Sequence, residues 1–263
     1  MSRKIRLAVF DLAGTVVDHG SCAPAGAFVR LFELHGIEAS VKQAREPMGM
    51  HKRDHIKSML AMPEIAAQWQ NVKGAVHTEA DIDALFNQFI PLQLECLPDY
   101  SRMIEGADIA AALLRARGIK IAATTGYNRE MMDIVLNALE KQGLTFDVTC
   151  CASEVAGGRP APWMIYRCME TAGVYPASSV INFGDTVADA ASGRNAGAYS
   201  VGFIKSGNML GLTEREVAKI PEDELDCMLA KAAFKLMENG AHTVCDDVTG
   251  VMSALGQAED GND

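Results

Sequence analysis

Five short apolar runs, IRLAVFD, IKIAATTG, FDVTCC, SVINFGD and AYSVGFI, recur along the chain, end in small or acidic residues and are followed by helix-like patterns. Runs without polar alternation suit strands buried on both faces, so the repeat predicts a parallel sheet with helices on either side. The first two runs are separated by residues from about 20 to 100, which lack strand runs. That interval reads as a helical insertion, a cap over an α/β core.

Local signals divide the insertion into helices. In PAGAFVRLFELHG, Phe28, Leu31, Phe32 and Leu34 recur at near-helical spacing and Gly36 marks an end. Ser40 can cap a short helix through Arg45, and Thr78 can cap TEADIDALFNQF. HKRDHIKSML stops at Pro63, EIAAQWQNV follows, and Pro91 is expected to kink or split the last cap helix. The expected division is a core of residues 1–19 and 101–263 and a cap of residues 20–100, with linkers near His19 to Pro24 and Pro98 to Ser101. The final QAEDGND reads as a frayed polar end.

Composition removes several classes of function. A hydrophobic content of 49% is ample for a buried core, so the chain is expected to fold throughout. A net charge of -10 argues against nucleic acid as a partner, because a phosphate backbone needs a basic patch. No stretch approaches 18 apolar residues, so no membrane span is expected. The seven scattered cysteines suggest neither a disulfide framework nor a zinc site, and point to the reducing cytoplasm.

In an open parallel sheet, ligands gather at the carboxyl ends of the strands. Asp11 ends the first run, Thr125 and Gly126 end the second, and Asp185 ends SVINFGD with Asp189 a helical turn beyond, so all fall on one edge. Singly, an aspartate after a strand is commonly a turn former or helix cap. Together Asp11 and Asp185 can hold a hard cation, and Mg2+ prefers such oxygen ligands. Thr125 and the Gly126 amide can hydrogen-bond a phosphoryl group, and the fixed fork of Arg159, in AGGRPAPW, suits bidentate phosphoryl binding. In the cap, Lys52 stands among His51, Arg53 and His55, and neighbouring positive charge lowers an amine's pKa. Were the segment one helix, Met48, Lys52 and His55 would share a face.

DLAGT, IAATTGYNREMM, AGGRPAPW and FGDTVAD resemble, in order and spacing, the four sequence motifs of the haloacid dehalogenase superfamily. The resemblance implies a Rossmann-like α/β core with an inserted α-helical cap, Asp11 as nucleophile, and Mg2+ held by Asp11, Asp185 and the main-chain carbonyl of Ala13, with Asp189 organising the metal loop. The family's first motif carries a second aspartate as general acid and base, where this chain has Ala13. A phosphate ester expels an alkoxide, and its protonation is worth about a hundred- to ten-thousand-fold. Ala13 cannot supply it.

The cap segment AREPMGMHKRDH, with TTGYNREMMDIV and GDTVADAASGRNAG, is similar to the phosphonatase branch of the superfamily. That branch implies hydrolysis of a carbon–phosphorus bond in an aldehyde substrate, and Lys52 matches its Schiff-base lysine. It also implies a homodimer. His55 is a candidate proton shuttle, though a lone helix histidine is more often structural, and Met48 and Tyr127 are candidates to line the closed site. Ser21 stands where relatives carry a cysteine, with Cys22 after it, so no thiol role is transferred. Two readings remain beside this one: a capped phosphatase or phosphomutase, and an inactive relative that binds a phosphorylated metabolite or protein.

Overall fold

The computed structural model describes residues 4–261. Its centre is a six-stranded, wholly parallel sheet, β1 (Leu7–Asp11), β2 (Lys120–Thr125), β3 (Val148–Cys151), β4 (Val180–Gly184), β5 (Tyr199–Phe203) and β6 (Thr243–Cys245), in the order β3-β2-β1-β4-β5-β6. This is the doubly wound arrangement, with its topological switch beside β1. Period-two alternation sends Leu7 and Val9 to one apolar layer, with Ala122 and Val180, while Ala8 and Phe10 enter the other, with Ile121, Phe183 and Phe203. Helices on both faces explain why the strands read as continuous apolar runs.

Between β1 and β2 lie α1 (Cys22–Glu33), α2 (Val41–Arg45), α3 (Lys52–Leu60), α4 (Pro63–Lys73), α5 (Glu79–Cys96) and α6 (Ala107–Ala116). The fold is therefore a Rossmann-like core with an inserted helical cap. Ser40 and Thr78 form capping boxes with Gln43 and Asp81. The remaining helices are α7 (Arg129–Lys141), α8 (Trp163–Ala172), α9 (Val187–Ala196), α10 (Glu214–Val217), α11 (Glu222–Glu238) and α12 (Val251–Asp260).

Four details depart from expectation. The edge strand β6 has three residues, TVC, too short for a periodic signal. Leu34 is 53% exposed, because α1 ends before it and turns it outward. Pro91 does not split α5: the proline and Asn87, whose carbonyl it leaves free, both face water, which satisfies that group. The polar C-terminal stretch is helical through Asp260, with Ala258 buried, while Asn262 and Asp263 lie outside the described residues.

Candidate active site

Strand register assembles the site. Asp11 is level with Thr124 on β2, and Phe10 with Phe183 on β4, so Asp185 follows within two residues of the same edge. After Asp11 the chain folds back, with the N–H groups of Val16 and Val17 on the Leu12 carbonyl at 2.9 and 3.1 Å. Gly14 lies in the left-handed region at φ 83, and a side chain there would strike the Asp185 carboxylate. The hydroxyl of Thr15 donates to Asp185 Oδ1 at 3.2 Å, and the Asn208 N–H to Oδ2 at 2.7 Å.

Asp11, Asp185 and Asp189 are buried, and one carboxylate oxygen of each lies within 4.8 Å of the others. Burial, then the charges of Asp11 and Asp189, push Asp185 well above the usual carboxylate range. Burial also raises Asp189, to about 7, against the opposing pull of Arg159. Three carboxylates facing one guanidinium are short of positive charge, and their all-oxygen donor set fits a hard divalent cation such as Mg2+. Asp189 is the most committed of the three. It caps α9 with Thr186 and forms an ion pair with Arg159 Nε at 2.9 Å.

Arg159 is 5% exposed and joins the acidic cluster to β2. Its Nη2 donates to the Thr124 hydroxyl at 2.7 Å, and Nη1 lies 2.6 Å from Asp11 Oδ1. The Nη1 contact is a close ion pair that locks the guanidinium against the Asp11 carboxylate. A buried guanidinium beside Asp11 suits a phosphoryl oxygen.

The cap reaches this edge through the turn before α3. A Cβ on Gly126 would fall 2.6 Å from the Met50 carbonyl, and one on Gly158 would fall 3.3 Å from the His51 nitrogen. Glycines therefore let cap backbone rest on core backbone. Lys52 opens α3 and is 4% exposed, with its amine 5.1 Å from the Tyr127 ring and 5.4 Å from the Phe28 ring. Among the described residues no carboxylate pairs with it. The ring faces favour the ammonium, but burial outweighs them and lowers the amine to about 8, with Asp11 opposing and Arg159 assisting. The depression thus comes from burial and Arg159 and not from the flanking cations. Arg53 turns outward to Asp83 and Glu79, at 2.6 and 2.8 Å.

One small cavity is lined by Asp11, Ala13, Lys52, Thr125, Gly126, Tyr127, Met48 and Arg159, joined by Ser21, Pro24, Gly49 and Thr186. Room for the centre of a water-sized sphere is only about 20 Å³, little more than one water needs. This is a closed site. Met48 reaches it from the turn preceding α3, so the shared helical face with Lys52 does not form. His55 does not line the cavity. It stacks on Phe28 at 3.7 Å, its Nε2 donates to the Ala44 carbonyl at 2.8 Å, and burial followed by the Lys52 charge holds it well below the usual histidine range. A ring kept neutral in this way is poorly placed to take up and return protons, which argues for a packing role. Cys22 also lies outside the lining, near the His19 carbonyl at 3.6 Å.

Sequence reasoning passed over Thr124, Thr186 and Asn208. Thr186 had a signal, because the TVAD that supplied Asp189 also spells a capping box. Asn208 had none, since its partners lie 163 and 23 residues away.

A family model for haloacid dehalogenase-like hydrolases matches residues 5–197. The chain is 42% identical to phosphonoacetaldehyde hydrolase of Nitratidesulfovibrio vulgaris (strain DSM 19637 / Miyazaki F) over 251 residues, covering 95% of this chain and 90% of that one. It is 43% identical to phosphonoacetaldehyde hydrolase of Bacillus cereus (strain B4264) over 239 residues, covering 91% and 90%. The crystal structure of a phosphonoacetaldehyde hydrolase-like protein from Oleispira antarctica superposes with a TM-score of 0.95 at 34% identity, covering 100% of this chain and 97% of that one. A putative β-phosphoglucomutase from Bacteroides vulgatus, at TM-score 0.69 and 15% identity, shares the fold.

Proposed function

The chain belongs to the phosphonoacetaldehyde hydrolase branch of the haloacid dehalogenase-like hydrolases, and from that footing we propose that it hydrolyses phosphonoacetaldehyde to acetaldehyde and phosphate through a Lys52 Schiff base and an Asp11 aspartyl phosphate. One observation carries the reading: an amine lowered to about 8 shares a cavity with Asp11, while position 13, beside the carboxylate, has no acid.

Direct cleavage of the carbon–phosphorus bond would expel a carbanion. In the proposed sequence the neutral Lys52 amine adds to the aldehyde carbon, and with uptake of one proton from solvent the oxygen leaves as water, giving an iminium on the carbon next to the one that bears phosphorus. Asp11 attacks phosphorus, and the electron pair of the breaking bond delocalises into the enamine. Protonation of the enamine carbon gives a new iminium, which water hydrolyses to acetaldehyde and the free amine, returning a proton to solvent. A second water cleaves the aspartyl phosphate and returns Asp11. The Arg159 guanidinium, with Thr125 and the Gly126 amide, holds the phosphoryl oxygens. Tyr127 and Met48 wall the cavity and exclude water.

Asp11, Asp185 and the Ala13 carbonyl would hold Mg2+, with Asp189 fixing the loop through Thr186 and Arg159. When bound, the metal offsets repulsion between the Asp11 carboxylate and the anionic phosphoryl group. In this reading residues 20–100 form the cap and the rest the core, the enzyme is a homodimer, and its seven free cysteines suit the cytoplasm.

Reduction with borohydride in the presence of phosphonoacetaldehyde, followed by peptide mapping, tests the central step. A stable adduct on Lys52, absent in Lys52→Arg, is expected. Trapping only at other lysines, or full turnover by Lys52→Arg, would remove it.

A further inference from the structure

The closed cap poses a mechanical question: what holds it down, and does the acidic cluster feel the hold? The loop after β5 answers both. Arg45, the last residue of α2 in the cap, reaches Asn208 in that loop, and the two form a reciprocal clasp. Arg45 Nη1 donates to Asn208 Oδ1 at 3.0 Å, and Asn208 Nδ2 donates to the Arg45 carbonyl at 3.1 Å. The same Nη1 donates to the carbonyls of Gly20 and Ser21 at 2.6 and 3.2 Å. Those residues belong to the crossing from core to cap, where Asp18, Gly20 and Ser21 are all left-handed, at φ 56, 88 and 49. Two non-glycine residues in that region mark a segment held in a costly conformation by its surroundings. Asn208 is 5% exposed, and its main-chain N–H donates to Asp185 Oδ2 at 2.7 Å. One buried residue thus grips the cap with its side chain and a carboxylate of the acidic cluster with its backbone.

We propose that Asn208 is a positioning residue, tying the closed position of the cap to the placement of the Asp185 carboxylate through its clasp on Arg45. Opening the cap separates Arg45 from Asn208 and from the crossing carbonyls at once, so the loop that braces Asp185 is released in the same movement. The inference rests on this hydrogen-bonded geometry and not on the chemistry assigned to Lys52.

Asn208→Ala removes the side-chain clasp and keeps the main-chain donor. In the full-length, ligand-free protein, trace acetylation with acetic anhydride reports how often the buried Lys52 is exposed, with the exposed Lys235 as internal standard. Loss of two part-buried hydrogen bonds is expected to speed Lys52 acetylation by about tenfold relative to Lys235. Arg45→Gln, at a half-exposed position, is expected to do the same and carries the test if Asn208→Ala does not fold. The double variant should open by less than the product of the two single effects, because both break the bond from Arg45 Nη1 to Asn208 Oδ1. The Mg2+ concentration giving half the maximal rise in Tm should increase severalfold in each. An unchanged Lys52 rate, single effects that multiply in the double variant, or an unchanged Mg2+ midpoint would each overturn the proposal.

Discussion

If Lys52 is the amine that forms the imine, its trapping by substrate must follow its own ionisation, and the structure sets where that occurs. Burial lowers the amine from the ordinary lysine value of 10.5 to about 8. Raising the pH from 6.5 to 8.5 then takes the neutral fraction from about 3% to about 75%, a rise of roughly 25-fold followed by a plateau. An unperturbed lysine would gain about a hundredfold over the same interval and continue to climb tenfold per pH unit toward 10.5. At pH 7.5 the two cases differ by about two hundredfold in competent amine, so the burial is a substantial part of the catalysis. The assay is the initial rate of cyanoborohydride trapping on Lys52 with saturating phosphonoacetaldehyde, quantified by peptide mapping. Trapping isolates amine addition from phosphoryl transfer. A rate that keeps climbing past pH 9.5, or that ignores pH, would refute the assignment of a buried, depressed amine.

Four further outcomes are expected. Lys52→Met should abolish turnover yet raise Tm at pH 7, because burying this lysine's ammonium charge costs the fold about 3 kcal/mol there. That cost is fully present below pH 8 and fades up to about 10.5, as the unfolded chain also loses its proton, so the gain measured by calorimetry should shrink at high pH; a lower Tm at pH 7 contradicts it. Asp185→Asn should raise Tm in EDTA by a few degrees, since it removes a carboxyl whose ionisation burial and the charges of Asp11 and Asp189 oppose, and should abolish the stabilisation by Mg2+; a fall in EDTA counts against the cation site. Gly126→Ala should lower kcat/KM by at least about tenfold with little change in Tm, because the new methyl meets the Met50 carbonyl and props the cap open; unchanged kinetics would show that this contact yields. Small phosphate esters should turn over at least about a hundredfold more slowly than phosphonoacetaldehyde, because Ala13 cannot protonate an alkoxide; comparable phosphate release would favour the phosphatase reading.

The parallel sheet was legible because its strands are buried on both faces, and burial writes itself as uninterrupted apolar runs. The cap helices were legible for a similar reason: Ser40 and Thr78 cap through bonds spanning three residues, within reach of any local reading. β6 was not, since three residues at an edge are defined by their neighbour and hold no period of their own.

For the site, the sequence determined the inventory: a strand-end aspartate, an alanine where an acid belongs, two aspartates on a helix entrance, an arginine, and a lysine some forty residues away. The resemblance of their motifs supplied candidate roles. Tertiary structure alone decided the environment. It enclosed Lys52 between Phe28 and Tyr127, so burial, assisted by Arg159 and not by the cations flanking it in sequence, lowers the amine. It packed His55 into the cap interior, and it set Asn208 against both Arg45 and Asp185. Hydrogen bonds within a turn follow from the order of residues, whereas desolvation and long-range contacts depend on what folds over a residue, which no local spacing records.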